Sequence, residues 1–144
     1  MAHEMTSTAM VKEAIVMAMI LVLLAATTSS AGPLDTTVVL AKCTGETIPQ
    51  GSPFLGHLGT TLIQLSENTA YVDGFHFKVQ NGGGNCPAFG EASCDLSLSV
   101  DDCCHCVSTL ANDIWRICNN AIGAEVHYSS CSIRYEQFRF WTIT

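Results

Sequence analysis

Five cysteines in the second half of the chain constrain its fold more than any other feature. They fall as Cys94, eight residues, Cys103, two residues, Cys106, eleven residues, Cys118, twelve residues and Cys131. A disulfide requires two Cα atoms within roughly 4.4–6.8 Å, so neighbouring cysteines tie local elements together and distant ones tie sheet to helix. Cys103 and Cys106 are three apart and share one face of any helix that carries them. Each can then reach a different partner. Cys43, Cys86 and Cys104 complete a set of eight, which allows far too many connectivities for sequence to choose among.

Whether these cysteines are oxidised depends on compartment, and the N-terminus speaks to that. Ala14 to Ala26 is an uninterrupted apolar run of 13 residues. That length fits the roughly 7–15 residues of a signal-peptide core and falls short of the about 20 that a membrane span needs. Small residues at Ser29 and Ala31 offer a cleavage site, with maturation near Gly32. The leading segment is barely basic, since Lys12 is opposed by Glu4 and Glu13. Residues 1–31 are therefore read as a signal peptide, and 32–144 as a single secreted, extracellular domain with no membrane span after removal of the signal. All eight cysteines lie in the mature part, where an oxidising setting favours a disulfide framework over a metal site.

From residue 32 onward, five Lys/Arg face eleven Asp/Glu, a formal charge of −6. That balance argues against nucleic acid, whose binding rests on phosphate neutralisation. It also argues against a cationic membrane-disrupting peptide.

Thr36 to Lys42 is β-branched and apolar and predicts a first strand ending at Cys43. Ser52-Pro53 predicts a helix start, with Ser as N-cap and Pro at the first helical position. Leu55, Leu58, Leu62 and Leu65 would form its apolar face, and Asn68 its end. Phe75 to Val79 alternates as a half-buried strand, Asn81 to Asn85 turns, and Pro87 to Ala92 returns as its partner. Ser99 caps a second helix with Asp101 and Asp102 in its first turn. Val100, Cys103, Val107, Leu110, Ile114 and Ile117 make that helix amphipathic to about Cys118, and Asn119-Asn120 ends it. Glu125 to Tyr128 and Cys131 to Phe138 predict two strands joined at Ser129-Ser130. The expected class is α+β, with helices on one face of an antiparallel sheet.

Enzymatic signatures are weak. Cys103 to Cys106 (CCHC) resembles zinc-ligand spacing, and its Cys-x-x-Cys pair lacks a thioredoxin-like βαβ context. His57, His76, His105 and His127 are scattered without a nucleophile motif, and Asn81 to Asn85 lacks the GK[ST] of a phosphate loop. No catalytic residue, metal or cofactor is expected. Phe138, Phe140 and Trp141 read as packing or as a stacking platform for sugar rings. No Asn-x-Ser/Thr acceptor occurs.

The C-x8-C-x2-C core followed by x11-C and x12-C resembles the cysteine-rich stress-antifungal domain family of plants, and within it the ginkbilobin-like antifungal proteins. IPQGSPF (Ile48 to Phe54), ENTAY (Glu67 to Tyr71), ICNNAIGA (Ile117 to Ala124) and YEQF (Tyr135 to Phe138) stand in the family's order. The resemblance covers roughly Thr37 to Phe140. It implies two helices packed on a five-stranded antiparallel sheet. It also implies the pairings Cys43–Cys118, Cys94–Cys103 and Cys106–Cys131. Cys86 and Cys104 have no place in that pattern: they either pair with each other or remain free and available for dimerisation. Monomer and dimer both stay open.

The resemblance further implies mannose binding as the route to antifungal action, through an Asn after the first cysteine, an Arg after the NNAIGA word, and the Glu of the YEQ word. Those positions hold Thr44, Glu125 and Glu136. A hydroxyl at Thr44 lacks the paired donor and acceptor of an amide, and Glu125 removes the donor fork of a guanidinium. Two carboxylates that converge could instead hold a hard cation, though two oxygen ligands are few for one. The expected function is a secreted, non-enzymatic defence protein that binds mannose or fungal cell-wall mannan. The alternative is an extracellular protein-interaction module of the same family that has lost the sugar site.

Overall fold

The computed structural model describes residues 2–25 and 34–142. An N-terminal helix, α1 (Ala2–Ala25), forms one unit, and the chain from residue 34 onward forms another. No described helix is long and apolar enough to cross a membrane. Ala26 and the expected cleavage region at Ser29 to Gly32 lie outside the described residues.

The second unit contains β1 (Val38–Cys43), α2 (Pro53–Asn68), β2 (His76–Asn81), β3 (Ala88–Cys94), α3 (Val100–Ile117), β4 (Ala124–Tyr128) and β5 (Cys131–Glu136). The strands form one antiparallel sheet in the order β1-β4-β5-β3-β2, with α2 and α3 against one face. This is the expected α+β architecture, with α1 as an additional helix.

Local chemistry explains the helix boundaries. Ser52 accepts a hydrogen bond from the Phe54 amide, and Pro53 occupies the first turn, where its missing N–H costs nothing. Ser99 caps α3 by accepting from the Asp102 amide, while its own hydroxyl donates to the Asp102 carboxylate. Asn119 and Asn120 both take left-handed conformations (φ 48° and 57°), so the chain leaves the helix there.

The apolar stripe of α2 departs from expectation. Phe54, Leu58, Thr61, Leu62 and Leu65 are buried, whereas Leu55 is 47 % exposed. At 100° per residue, Phe54 lies one turn before Leu58 on its own face, and Leu55 falls beside that face. On α3 the buried set is Cys103, Cys106, Val107, Leu110, Ala111 and Ile114, while Val100 is exposed at the helix start. Phe75 precedes β2 in a short 3₁₀ turn rather than opening the strand. The last strand stops at Glu136, before Phe138.

α2 lies close against β3 because Gly90 carries no side chain: a Cβ there would stand 3.0 Å from Leu65 Cδ1 and closer still to Thr61 Cγ2. The core between sheet and helices holds Leu58, Leu65, Leu110, Ile114, Val126, Ile133 and Tyr135.

Three disulfides staple this core. Cys43–Cys118, Cys94–Cys103 and Cys106–Cys131 join Cα atoms 5.3, 5.7 and 6.1 Å apart. The first ties the edge strand β1 to the end of α3, the second ties β3 to the start of α3, and the third ties α3 to β5. The Cys86–Cys104 bond held open on sequence does not form; both are half-buried thiols. Cys86 lies where its carbonyl meets His57 Nδ1 (2.8 Å) near the start of α2. Cys104 faces the Ser66 carbonyl near the end of α2. His57 and Ser66 are nine residues apart, about 13 Å of helix, well beyond the roughly 7 Å that a disulfide can bridge.

Candidate functional site

Alternation along the strands sends every second side chain to the face of the sheet away from the helices. On that face, register builds a row of alternating charge across all five strands. Lys42 lies opposite Glu125, Glu125 opposite Arg134, Arg134 opposite Glu91, and Glu91 opposite Lys78. Lys42 Nζ is 3.7 Å from Glu125 Oε2, and Lys78 Nζ is 3.6 Å from Glu91 Oε1. His76 also pairs with Glu91. Opposite charges facing each other across antiparallel strands contribute about 0.2–1 kcal/mol per pair.

At the β1–β4–β5 end of this row lies a cleft of about 360 Å³ lined by Lys42, Cys43, Thr44, Gly123, Ala124, Glu125, Arg134 and Glu136. The three positions singled out by resemblance therefore meet in one place, although Thr44 and Glu136 are 92 positions apart in the chain. Thr44 is held by its amide donating to the Gly123 carbonyl (2.9 Å) and its Oγ1 accepting from the Gly123 amide (3.0 Å). That Oγ1 also donates to the Glu46 carbonyl (3.3 Å). Gly123 leaves room for its neighbours: a Cβ there would stand 2.9 Å from Thr44 Cγ2, 3.0 Å from Glu136 Cδ, and closer still to Glu136 Oε2. Fully buried Tyr135 donates its hydroxyl to the Ala121 carbonyl (2.7 Å), which secures the loop that delivers Gly123.

The two carboxylates keep separate company. Glu125 meets His127 Nε2 (2.9 Å) and Lys42, while Glu136 Oε1 accepts from Arg134 Nη2 (3.3 Å). Burial opposes the ionised form of Glu125. The His127 hydrogen bond and the charges of Lys42, His127 and Arg134 outweigh it and hold the carboxyl below the usual glutamate range. Each carboxylate thus already has a cationic partner, and among the described residues no group of three or more His, Cys, Asp or Glu could hold a metal ion. The cation site weighed on sequence is not built here.

Arg134 and Gly123 are the residues that sequence reading passed over. Arg134 could have been found: a two-residue turn at Ser129-Ser130 pairs 128 with 131 and hence 125 with 134, so the hairpin itself puts a guanidinium beside Glu125. Gly123 carried no comparable signal, because its role depends on the approach of Glu136 from another strand.

The family model for salt stress response/antifungal proteins matches residues 35–138. The chain belongs to this antifungal family. Among its relatives, antifungal protein ginkbilobin-like protein 2 of Picea glauca is 42% identical over 121 residues, covering 83% of this chain and 90% of that protein. Antifungal protein ginkbilobin-2 of Ginkgo biloba is 44% identical over 108 residues, covering 74% of this chain and 80% of the relative. Among solved structures, the tandem DUF26 ectodomain of the Arabidopsis thaliana cysteine-rich receptor-like protein PDLP8 superposes with a TM-score of 0.67 at 24% identity. That match covers 73% of this chain and spans half the length of the ectodomain, and at such identity it speaks to the fold alone.

Proposed function

We propose that this protein is a secreted, non-enzymatic defence protein whose cleft at the β1–β4–β5 end of the sheet binds mannose-type sugars of fungal cell walls. The observation that carries the reading is the convergence of Thr44, Glu125 and Glu136, distant in sequence, on one polar cleft together with a guanidinium. Sugar recognition needs donors and acceptors arranged side by side. Here Arg134 donates and Glu136 accepts, 3.3 Å apart. The signal-like N-terminus and three disulfides, which persist in oxidising compartments, support the secreted reading. The protein would act outside the cell after removal of residues 1–31.

A second reading draws on the same cleft. The Thr44 hydroxyl is already committed to the Gly123 amide and the Glu46 carbonyl, and Glu125 to Lys42 and His127. A site whose polar groups satisfy one another has less to offer a sugar, and an extracellular protein-interaction module would need none. Calorimetric titration with mannose and mannan, beside Thr44→Asn/Glu125→Arg and Glu136→Gln, separates the two. Binding by the natural protein that is lost in Glu136→Gln supports the sugar reading. Binding only by the double variant refutes it and favours the interaction module.

A further inference from the structure

We infer that Arg134 is the sugar-gripping donor of the cleft, and that the C-terminal segment Phe138–Trp141 belongs to the site because it presents that guanidinium. The inference rests on the sugar-binding reading above and assigns it a residue that the family resemblance does not supply. The resemblance puts an Arg on β4, where this chain has Glu125. The fold puts Arg134 directly across the hairpin from that position, so a guanidinium enters the same cleft from β5.

Its setting is more elaborate than a surface arginine requires. Past Glu136 the chain turns back over the open face of the sheet. The Phe140 ring lies 4.2 Å from Arg134 Cζ, a cation–π contact. Trp141 packs edge-on to Phe140 and Phe89, with centroids at 4.7 and 5.6 Å, and has Lys78 Nζ 5.8 Å from its own centroid. Arg139 Nη2 reaches Gln80 Oε1 (3.3 Å). The segment is thereby pinned to β2 and β3 on one side while Phe140 covers Arg134 on the other. One edge of the guanidinium is fixed by Glu136, and Nε is buried with no acceptor among the described residues. With Nε buried, the accessible part of this side chain, which is 37 % exposed, is what Arg134 offers to a ligand hydroxyl in the polar cleft that it lines. A donor fork next to the Glu136 carboxylate matches a pair of neighbouring hydroxyls on a neutral hexose: one oxygen accepts from Arg134 and the other hydroxyl donates to Glu136. Arg134 is the specificity residue in this scheme, and Phe140 is a positioning residue acting through it.

The test uses the full chain, expressed through a secretory pathway. The chain has three arginines, Arg116, Arg134 and Arg139, so their side-chain Nε–H resonances can be assigned from single Arg→Lys variants. Mannose and mannan should move the Arg134 resonance and leave that of Arg116 in place. Arg134→Gln should weaken binding by about tenfold or more, the size of a hydrogen bond to a charged group. Phe140→Leu should shift the Arg134 resonance even without sugar, through loss of the ring, and weaken binding by about two- to fivefold. If Arg134→Gln does not fold, the resonances of the natural protein and of Phe140→Leu decide the matter. Sugar binding with the Arg134 resonance unmoved overturns the inference and leaves the sugar reading standing. An Arg134 resonance unaffected by Phe140→Leu overturns the role of the C-terminal segment. Absence of sugar binding by the natural protein overturns both.

Discussion

The edge strand β1 is exposed along nearly its whole length, so little burial holds it to the sheet. What does hold it is the ladder to β4 and the Cys43–Cys118 bond at its end. Replacing both cysteines by alanine should therefore be the most damaging of the three disulfide removals. Chain entropy scales the loss with the closed loop. Sequence separations of 75, 25 and 9 correspond to about 4.5, 3.5 and 2.7 kcal/mol as upper values. Against a typical domain stability of about 5–15 kcal/mol, the first is large enough to unfold a marginal protein. The gap of about 1.8 kcal/mol between the longest and shortest loops should appear in urea unfolding as a midpoint difference of roughly 1 M, given m-values of about 1–3 kcal/mol/M. Hydrogen exchange provides a second readout: amides of β1 should lose protection in Cys43→Ala/Cys118→Ala ahead of those in the central strands β4 and β5. Because Lys42, Cys43 and Thr44 form one wall of the cleft, binding there should fail before the domain unfolds. The reasoning is refuted if removal of Cys94–Cys103 costs as much as removal of Cys43–Cys118, or if β1 keeps its protection without its bond.

Gly123→Ala should displace the Glu136 carboxylate, because the new Cβ would crowd both Oε2 and Cδ. Since that group is the far end of a flexible side chain in a partly exposed ion pair, thermal unfolding should change by less than about 1 kcal/mol, while a crystal structure or titration shows a disrupted cleft. Glu125 has a depressed carboxyl pKa in the folded state, so its stabilising effect is present above the ordinary glutamate range and lost as pH falls through the folded value. The stability difference between the natural protein and Glu125→Gln should accordingly shrink below about pH 4.5, and a difference that grows on acidification would contradict the assignment. Thiol titration of the denatured, unreduced protein should find Cys86 and Cys104 free, two thiols per chain; finding none would mean that they are bonded after all.

Much of the fold was legible in the sequence because its signals are local. Ser52-Pro53 and Ser99 cap helices through their own side chains, Asn119-Asn120 ends one through its backbone, and period-two patterns marked the strands. The errors at Leu55 and Phe75 were local too. Each is an apolar residue beside a buried face, and periodicity places such residues only to within one position. Disulfide pairing came by resemblance, since spacing alone cannot tell which cysteines meet. Sequence by itself established an acidic, cysteine-rich α+β domain with a signal-like N-terminus, and the family resemblance singled out Thr44, Glu125 and Glu136. Only the tertiary structure brought these three together with Arg134, set Gly123 against Glu136, laid Phe140 over the guanidinium, and left Cys86 and Cys104 at opposite ends of α2. The physical reason is that capping and periodicity act within a few residues, whereas a cleft depends on strand register and on the approach of side chains from β1, β4, β5 and the C-terminal segment.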